Sequence, residues 1–216
     1  EFEKSMNLAG RALTEYVLFR QKTIDRLKKI DKKDRESEIH NILVPMKRIL
    51  RSGDFSQDIY INNTWILDDK FMTYSTILSD MEMTDLLREL TKDDVIKDDD
   101  RPDIAIIFSD DPKTKDKFDV VIVELKRKGL KPEDNVRVEV QLEKRARGLY
   151  GLYPGKVQSL WLYGVVELDN DYKSHLSSAG YHPLYSKGNV FVNTNDITVD
   201  WESGIKIPSV RYILDF

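Results

Sequence analysis

The chain has 216 residues, 40% of them hydrophobic and 33% charged, and carries a net charge of −4. That apolar content can bury one sizeable core, so a single domain is expected, and the acidic balance excludes a global nucleic-acid-binding charge, leaving only a local basic patch. The chain lacks cysteine, which excludes disulfides, thiolate metal sites and a cysteine nucleophile; with no membrane-length apolar run and no secretion signal, it reads as soluble and cytoplasmic.

Glu1-Phe2 opens the chain without a methionine and leads directly into helical sequence, so the chain reads as part of a larger protein. From about Asn7 to Lys29, Leu8, Leu13, Tyr16, Val17, Phe19, Ile24 and Leu27 recur at helical spacing among Arg and Lys, which predicts an amphipathic helix. Asp31 to Ser37 is a charged break. Glu38 to about Leu50 reads as a second helix with Ile39, Leu43, Met46, Ile49 and Leu50 inward, kinked or restarted at Pro45 because proline cannot donate a helical hydrogen bond. Residues 1–52 are thus an N-terminal helical segment packed on a core of residues 53–216. Gly53 to Asn63 is a loop, Trp65 to Ser79 a short strand followed by a helix, and Asp93 to Asp100 an acidic loop.

Two β-branched runs follow, Ile104–Phe108 and Val120–Val123, and both read as buried strands. Ser109 to Asp119 between them is rich in Asp, Lys and Pro and reads as a hairpin turn or longer loop. Arg127-Lys128-Gly129 ends the second strand, Lys131 to Asn135 turns the chain, and Val136–Leu149 is a helix with Val140, Leu142 and Leu149 inward. Leu160–Leu168 is a third buried strand, Leu176 to Tyr181 a loop, and Asn189–Asn193 a fourth strand. Strand, strand, helix, strand, strand behind stacked helices predicts an α/β domain with a central mixed sheet flanked by helices.

Chemistry concentrates at the first two strands. Arg101-Pro102-Asp103 precedes one, and Glu124-Leu125-Lys126 ends the other. If the strands are neighbours, Asp103, Glu124 and Lys126 meet; residues i and i+2 share a strand face, so Glu124 and Lys126 point one way and Leu125 the other. Two carboxylates with open positions beside them suit Mg²⁺, with Mn²⁺ as a substitute, and the Leu125 carbonyl is a further expected ligand. Such a metal polarises a phosphodiester and acidifies a bound water, and a neighbouring lysine orients that water or stabilises phosphate charge. The plain alternative is a surface ion pair between Glu124 and Lys126.

Asp103, Glu124 and Lys126 match the signature of the PD-(D/E)xK nuclease superfamily, which the chain resembles. The resemblance extends over roughly residues 8–200, through Glu36-Ser-Glu-Ile-His40-Asn-Ile-Leu-Val-Pro45-Met-Lys47, Asn63-Thr-Trp65-Ile-Leu-Asp68-Asp-Lys70, Ser79-Asp80, Arg101-Pro-Asp103 and Val123-Glu-Leu-Lys-Arg127. In that order these segments look like the domains that follow a GHKL-type ATPase in one bacterial polypeptide, and they are similar to the nuclease domains of antiphage systems such as Shedu. The resemblance implies a restriction-endonuclease-like fold, a DNA substrate, a linked N-terminal ATPase or regulatory domain, and pairing of two or more copies, since cutting both strands needs two active sites.

It also implies two further site residues. A helix ahead of the catalytic strands often presents a glutamate to the metal in such nucleases, and Glu38 fits that role as a third carboxylate. His40, two residues on, lies on a different helix face. Gln141 corresponds to a glutamine that contacts the scissile phosphate or a metal-bound water, although Arg145 stands where the family pattern has an aromatic. Arg127, Lys128, Lys131, Arg137, Lys144, Arg145 and Arg147 cluster in sequence as candidate phosphate contacts, with Tyr150 and Tyr153 as candidate stacking groups. The expected function is a Mg²⁺-dependent DNA endonuclease domain acting as a defence effector; the alternative is a catalytically silent nuclease-fold module for DNA binding or assembly.

Overall fold

The computed structural model describes residues 1–53, 58–90, 97–109, 117–152, 155–200 and 202–216. In chain order these form α1 (Phe2–Lys28), α2 (Glu36–Leu43), β1 (Arg48–Arg51), α3 (Asp58–Ile61), two 3₁₀ turns (Thr64–Ile66 and Asp69–Thr73), β2 (Thr76–Ser79) and α4 (Met83–Leu90). Then come β3 (Ile104–Phe108), β4 (Phe118–Leu125), α5 (Pro132–Leu152), β5 (Val157–Val166) and α6 (Asn170–Ser178). The last strands are β6 (His182–Pro183), β7 (Val190–Asn193), β8 (Ile197–Asp200), β9 (Ile205–Ile207) and β10 (Ser209–Asp215).

Eight strands make one mixed sheet in the order β1-β2-β3-β4-β5-β10-β7-β6, and β8 pairs with β9 apart from it. Strands β1 to β4 run antiparallel to their neighbours, whereas β4, β5 and β10 are parallel. Parallel strands need a crossover, and α5 supplies the one between β4 and β5. This is the α/β class with a central mixed sheet and flanking helices. Among the described residues no helix is long and apolar enough to cross a membrane.

The sheet is coated on both faces because its central strands are apolar on both. In β3, Ala105 and Ile107 join Val120 and Ile122 of β4 beneath α4, α5 and α6. Ile104 and Ile106 join Val121, Val123 and Leu125 on the opposite face, with Ile39, Ile42 and Leu43 of α2 and Phe71. Each such fully buried Val, Leu or Ile side chain contributes roughly 1.5–3 kcal/mol.

Several elements differ from the sequence reading. The second helix stops at Leu43 instead of continuing to Leu50. Val44, which precedes Pro45, is extended at φ −148° and ψ 136°, as the proline ring requires. The chain then turns through Lys47 at φ 57° and pairs Arg48–Arg51 with β2. Ile49 and Leu50 are therefore strand residues, and a division at residue 52 falls behind a strand of the main sheet. Between Trp65 and Ser79 the helical turns come first and the strand last. Two elements lie beyond the sequence reading, α4, although Met83, Leu86, Leu87 and Leu90 carry a helical spacing, and β10. The expected loop from Leu176 begins inside α6, whose N-terminus is capped by Asp169 accepting from the Tyr172 N–H at 2.7 Å. Residues 93–96 of the acidic loop and 110–116 of the hairpin connection lie outside the described residues.

The helix α1 is longer than its expected core contact. Its C-terminal part docks, with Arg20 over the Trp65 ring at 3.9 Å and Phe19 edge-on to Tyr60 at 5.1 Å. Leu8, Leu13 and Val17 of its apolar stripe are exposed.

On α5 the inward positions are Val138, Leu142, Ala146 and Leu149; Val140, expected inward, is 65% exposed. The helix sits close because β5 carries Gly164 between Glu124 and Ile213. A Cβ there would meet Ile213 Cδ1 at 2.9 Å and Val138 Cγ1 at 3.0 Å. Gly164→Ala should therefore destabilise the protein by about 1–3 kcal/mol through overpacking. Chemical denaturation checks this, and an unchanged midpoint would contradict the close packing.

Candidate functional site

Strand alternation decides where the motif side chains go. Ile104 pairs with Val123, so continuing the β3–β4 register by one residue sets Asp103 opposite Glu124. Val121, Val123 and Leu125 face α2, and Val120 and Ile122 face α5. Glu124 and Lys126 consequently fall on the α5 side. The two strand ends are tied directly, with the Leu125 N–H donating to Asp103 Oδ2 at 2.6 Å. Lys126 Nζ donates to the Leu125 carbonyl at 2.9 Å, so that expected metal-ligand oxygen accepts the ammonium here.

The helix α5 faces this corner with two residues four apart. Gln141 lines an open cleft of about 520 Å³ with Lys126, Leu130, Asp134, Arg137 and Val140, and its buried Oε1 has no hydrogen-bond partner among the described residues. Arg145 was expected on the DNA-facing surface, but it is only 7% exposed. Its Nε donates to Glu124 Oε1 at 3.2 Å and its Nη2 to the Arg101 carbonyl at 2.9 Å, while Nη1 pairs with Asp100 at 2.9 Å. A guanidinium thus lies against the flank of Glu124.

The helix α2 presents a different face from the one expected. Glu38 lines a separate cleft with Arg26, Lys29, Asp34 and Asn41. The residues turned to the site are Glu36, whose charge acts on Asp103, and His40, buried and bonded through Nε2 to Ser79 Oγ at 2.9 Å. Glu36 and His40 are i and i+4 on one helix face, which is the sequence signal that would have found them. Asp80 adds another carboxylate nearby, held at φ 53°, with its N–H donating to the Asp103 carbonyl at 2.8 Å.

Burial dominates the electrostatics. It pushes Asp103 up to about 6, assisted by the Glu36 and Asp80 charges and opposed by the Leu125 N–H and Lys126. It pushes Glu124, 2% exposed, up to about 7, assisted by the Asp103 charge and opposed by Arg145 and Lys126. His40 is lowered to about 4 by burial, so it is neutral at pH 7. A buried carboxylate pair in which the Asp103 charge raises Glu124 suits a hard divalent cation, which relieves both. Among the described residues no group of three or more His, Asp or Glu side chains forms a ready metal cluster. The pair is a two-carboxylate donor set, the number Mg²⁺ uses when waters and phosphate oxygens complete its shell. The orphaned Gln141 oxygen beside Lys126 fits a site that takes a further polar group.

The expected DNA-contacting residues divide. Arg127 and Lys131 are exposed and make no ion pair among the described residues. Lys144 pairs with Asp100, Arg147 with Glu143 and Arg137 with Asp134, all exposed enough to exchange for phosphate. Lys128 instead donates to the Ile30 carbonyl at 3.2 Å and lies over the Phe216 ring, tying the chain's end to the α1–α2 junction. Tyr150 packs against the core, and Tyr153 lies outside the described residues. The chain matches no protein-family model, no curated protein and no solved structure.

The raised carboxylates set a pH dependence. Both bind protons more tightly folded than unfolded, so without metal the stability they contribute falls as pH rises from about 4 through 6–7. Asp103→Asn keeps an acceptor for the Leu125 N–H and removes one charge. In EDTA at pH 8 it should be more stable than wild type by on the order of 2 kcal/mol, with the gap narrowing as pH falls through 6 and closing only near pH 4. Thermal melts at pH 8 and pH 4 check this; a destabilised Asn variant at pH 8 would refute the cost of ionising buried Asp103.

Proposed function

We propose that this chain is a Mg²⁺-dependent endonuclease domain that hydrolyses DNA phosphodiesters, serving as the effector part of a larger bacterial antiphage protein. The observation that carries the reading is the meeting of Asp103, Glu124 and Lys126 at adjoining ends of β3 and β4, with both carboxylates raised by burial. The succession β3, β4, α5, β5, with β5 parallel to β4, agrees with the restriction-endonuclease-like architecture that the signature implies.

Asp103 and Glu124 would hold the metal. A divalent cation there supplies Lewis acidity toward the phosphate and lowers the pKa of a bound water. Lys126, poised at the Leu125 carbonyl, turns its ammonium to the attacking water or the phosphate oxygens. The Gln141 amide orients the phosphate from the cleft floor. Water adds to phosphorus and the bond to one ester oxygen breaks. Arg127 and Lys131 contact the DNA backbone, together with the exchangeable Lys144 and Arg147; so few contacts make binding weak and salt-dependent, a reason for a linked N-terminal ATPase and a second copy to assist.

A second reading, a catalytically silent DNA-binding or assembly module, is favoured by one observation: the buried Arg145–Glu124 pair already neutralises a metal ligand. Cleavage separates the two. Plasmid and linear DNA should be cut with Mg²⁺ or Mn²⁺ and not with EDTA, and Asp103→Ala or Glu124→Ala should abolish cutting in folded protein. Lys126→Ala should reduce it by at least about 100-fold, the scale of a positioned proton-transfer or charge-stabilising group. A surface pair would contribute only about 0–1 kcal/mol. Metal-independent cutting, or full activity in Lys126→Ala, would retire the nuclease reading.

A further inference from the structure

Arg145 does not behave like the other basic residues of α5. Lys144 and Arg147 are exposed themselves and reach to half-buried carboxylates, Lys144 sharing Asp100 with Arg145, whereas the Arg145 side chain is buried against three partners. Those partners lie on the two segments that carry the carboxylates. Glu124 is the last buried acidic residue of β4, and Asp100 and Arg101 are the two residues before Pro102-Asp103. Pro102 is buried and its ring fixes φ, so the position of Arg101 is passed to Asp103 with little slack. The same stretch is held from its other side, because the Met83 N–H donates to the Asp100 carbonyl at 2.7 Å and Arg101 pairs with Glu82 at 2.7 Å.

We infer that Arg145 is a positioning residue that fixes the separation of Asp103 and Glu124 and so sets the divalent-cation affinity of the site; this rests on the nuclease reading above. The planar guanidinium is suited to the task. Its nitrogens leave in fixed directions and can hold a carboxylate, a second carboxylate and a carbonyl at once, which an ammonium on a flexible stem cannot. Burial excludes the competing role of a DNA contact, since a phosphate cannot reach a guanidinium enclosed by Glu124, Asp100 and the Arg101 carbonyl. Its charge also lowers the repulsion between the carboxylates, but charge alone would be supplied equally by lysine.

Arg145→Lys is therefore the informative variant, because it keeps the charge and loses the fork. Asp100→Asn is the second variant; it loosens the outer anchor without touching Glu124 and is more exposed, so it tolerates change. Both are measured with wild type and Glu124→Ala by calorimetric titration with Mn²⁺, by fluorescence anisotropy on duplex DNA at two salt concentrations, and by cleavage kinetics. Arg145→Lys should weaken Mn²⁺ binding at least tenfold and lower kcat, with DNA affinity and its salt dependence within twofold of wild type. Asp100→Asn should shift Mn²⁺ affinity in the same direction by about threefold. Unchanged or tighter Mn²⁺ binding in either folded variant overturns the positioning role, as does a loss confined to DNA affinity. If Arg145→Lys fails to fold, the Asp100→Asn result decides. A wild-type chain whose Mn²⁺ binding is absent, or persists in Glu124→Ala, overturns the underlying nuclease reading instead.

Discussion

Two carboxylates, Asp103 and Glu124, are held together in a corner with little water, and much of the surrounding structure serves that arrangement. Like charges in such surroundings repel and resist ionisation. They stay because the sheet beneath them leaves no choice: the β-branched residues before Glu124 and after Asp103 are fully buried, and their pairing fixes both strand ends. The Leu125 N–H to Asp103 bond then locks the two ends to each other.

Compensation comes from the elements on either side. α5 delivers Arg145 to Glu124 and Gln141 to the adjoining cleft, and it approaches closely enough because Gly164 offers no side chain beneath it. α2 delivers neutral His40, which bridges to Ser79 of β2, and Glu36, which adds to the negative potential at Asp103. The balance leaves the corner short of positive charge and rich in oxygen acceptors. A site of that kind is a liability for an empty protein and an asset for one that binds a divalent cation and a phosphate.

The core of this arrangement was legible in the sequence because its signals are local. Ile104–Phe108 and Val120–Val123 declare themselves as strands by β-branching, and the ExK spacing puts Glu124 and Lys126 on one face with period two. What was illegible depends on partners distant in sequence. Whether Ile49 and Leu50 extend a helix or begin a strand is decided by pairing with Leu78 and Ile77, and by the break that Pro45 imposes. The role of Arg145 depends on Asp100 and Arg101, more than 40 residues away in the chain. The resemblance points to Glu38, whereas the helical period points to the Glu36 and His40 face. The periodicity of α1 correctly gives a helix, but periodicity cannot tell which of its apolar residues find a partner within the chain.

The central claim is that Asp103 and Glu124 together hold one divalent cation. Its most direct measurement is an anomalous-difference map from crystals of the wild-type protein grown with Mn²⁺ above pH 7, where both carboxylates are largely ionised. The account predicts a peak within coordination distance of carboxylate oxygens from both Asp103 and Glu124, absent from Glu124→Ala crystals grown alike. No peak between those two residues, or one that persists in the Glu124→Ala crystals, would contradict it.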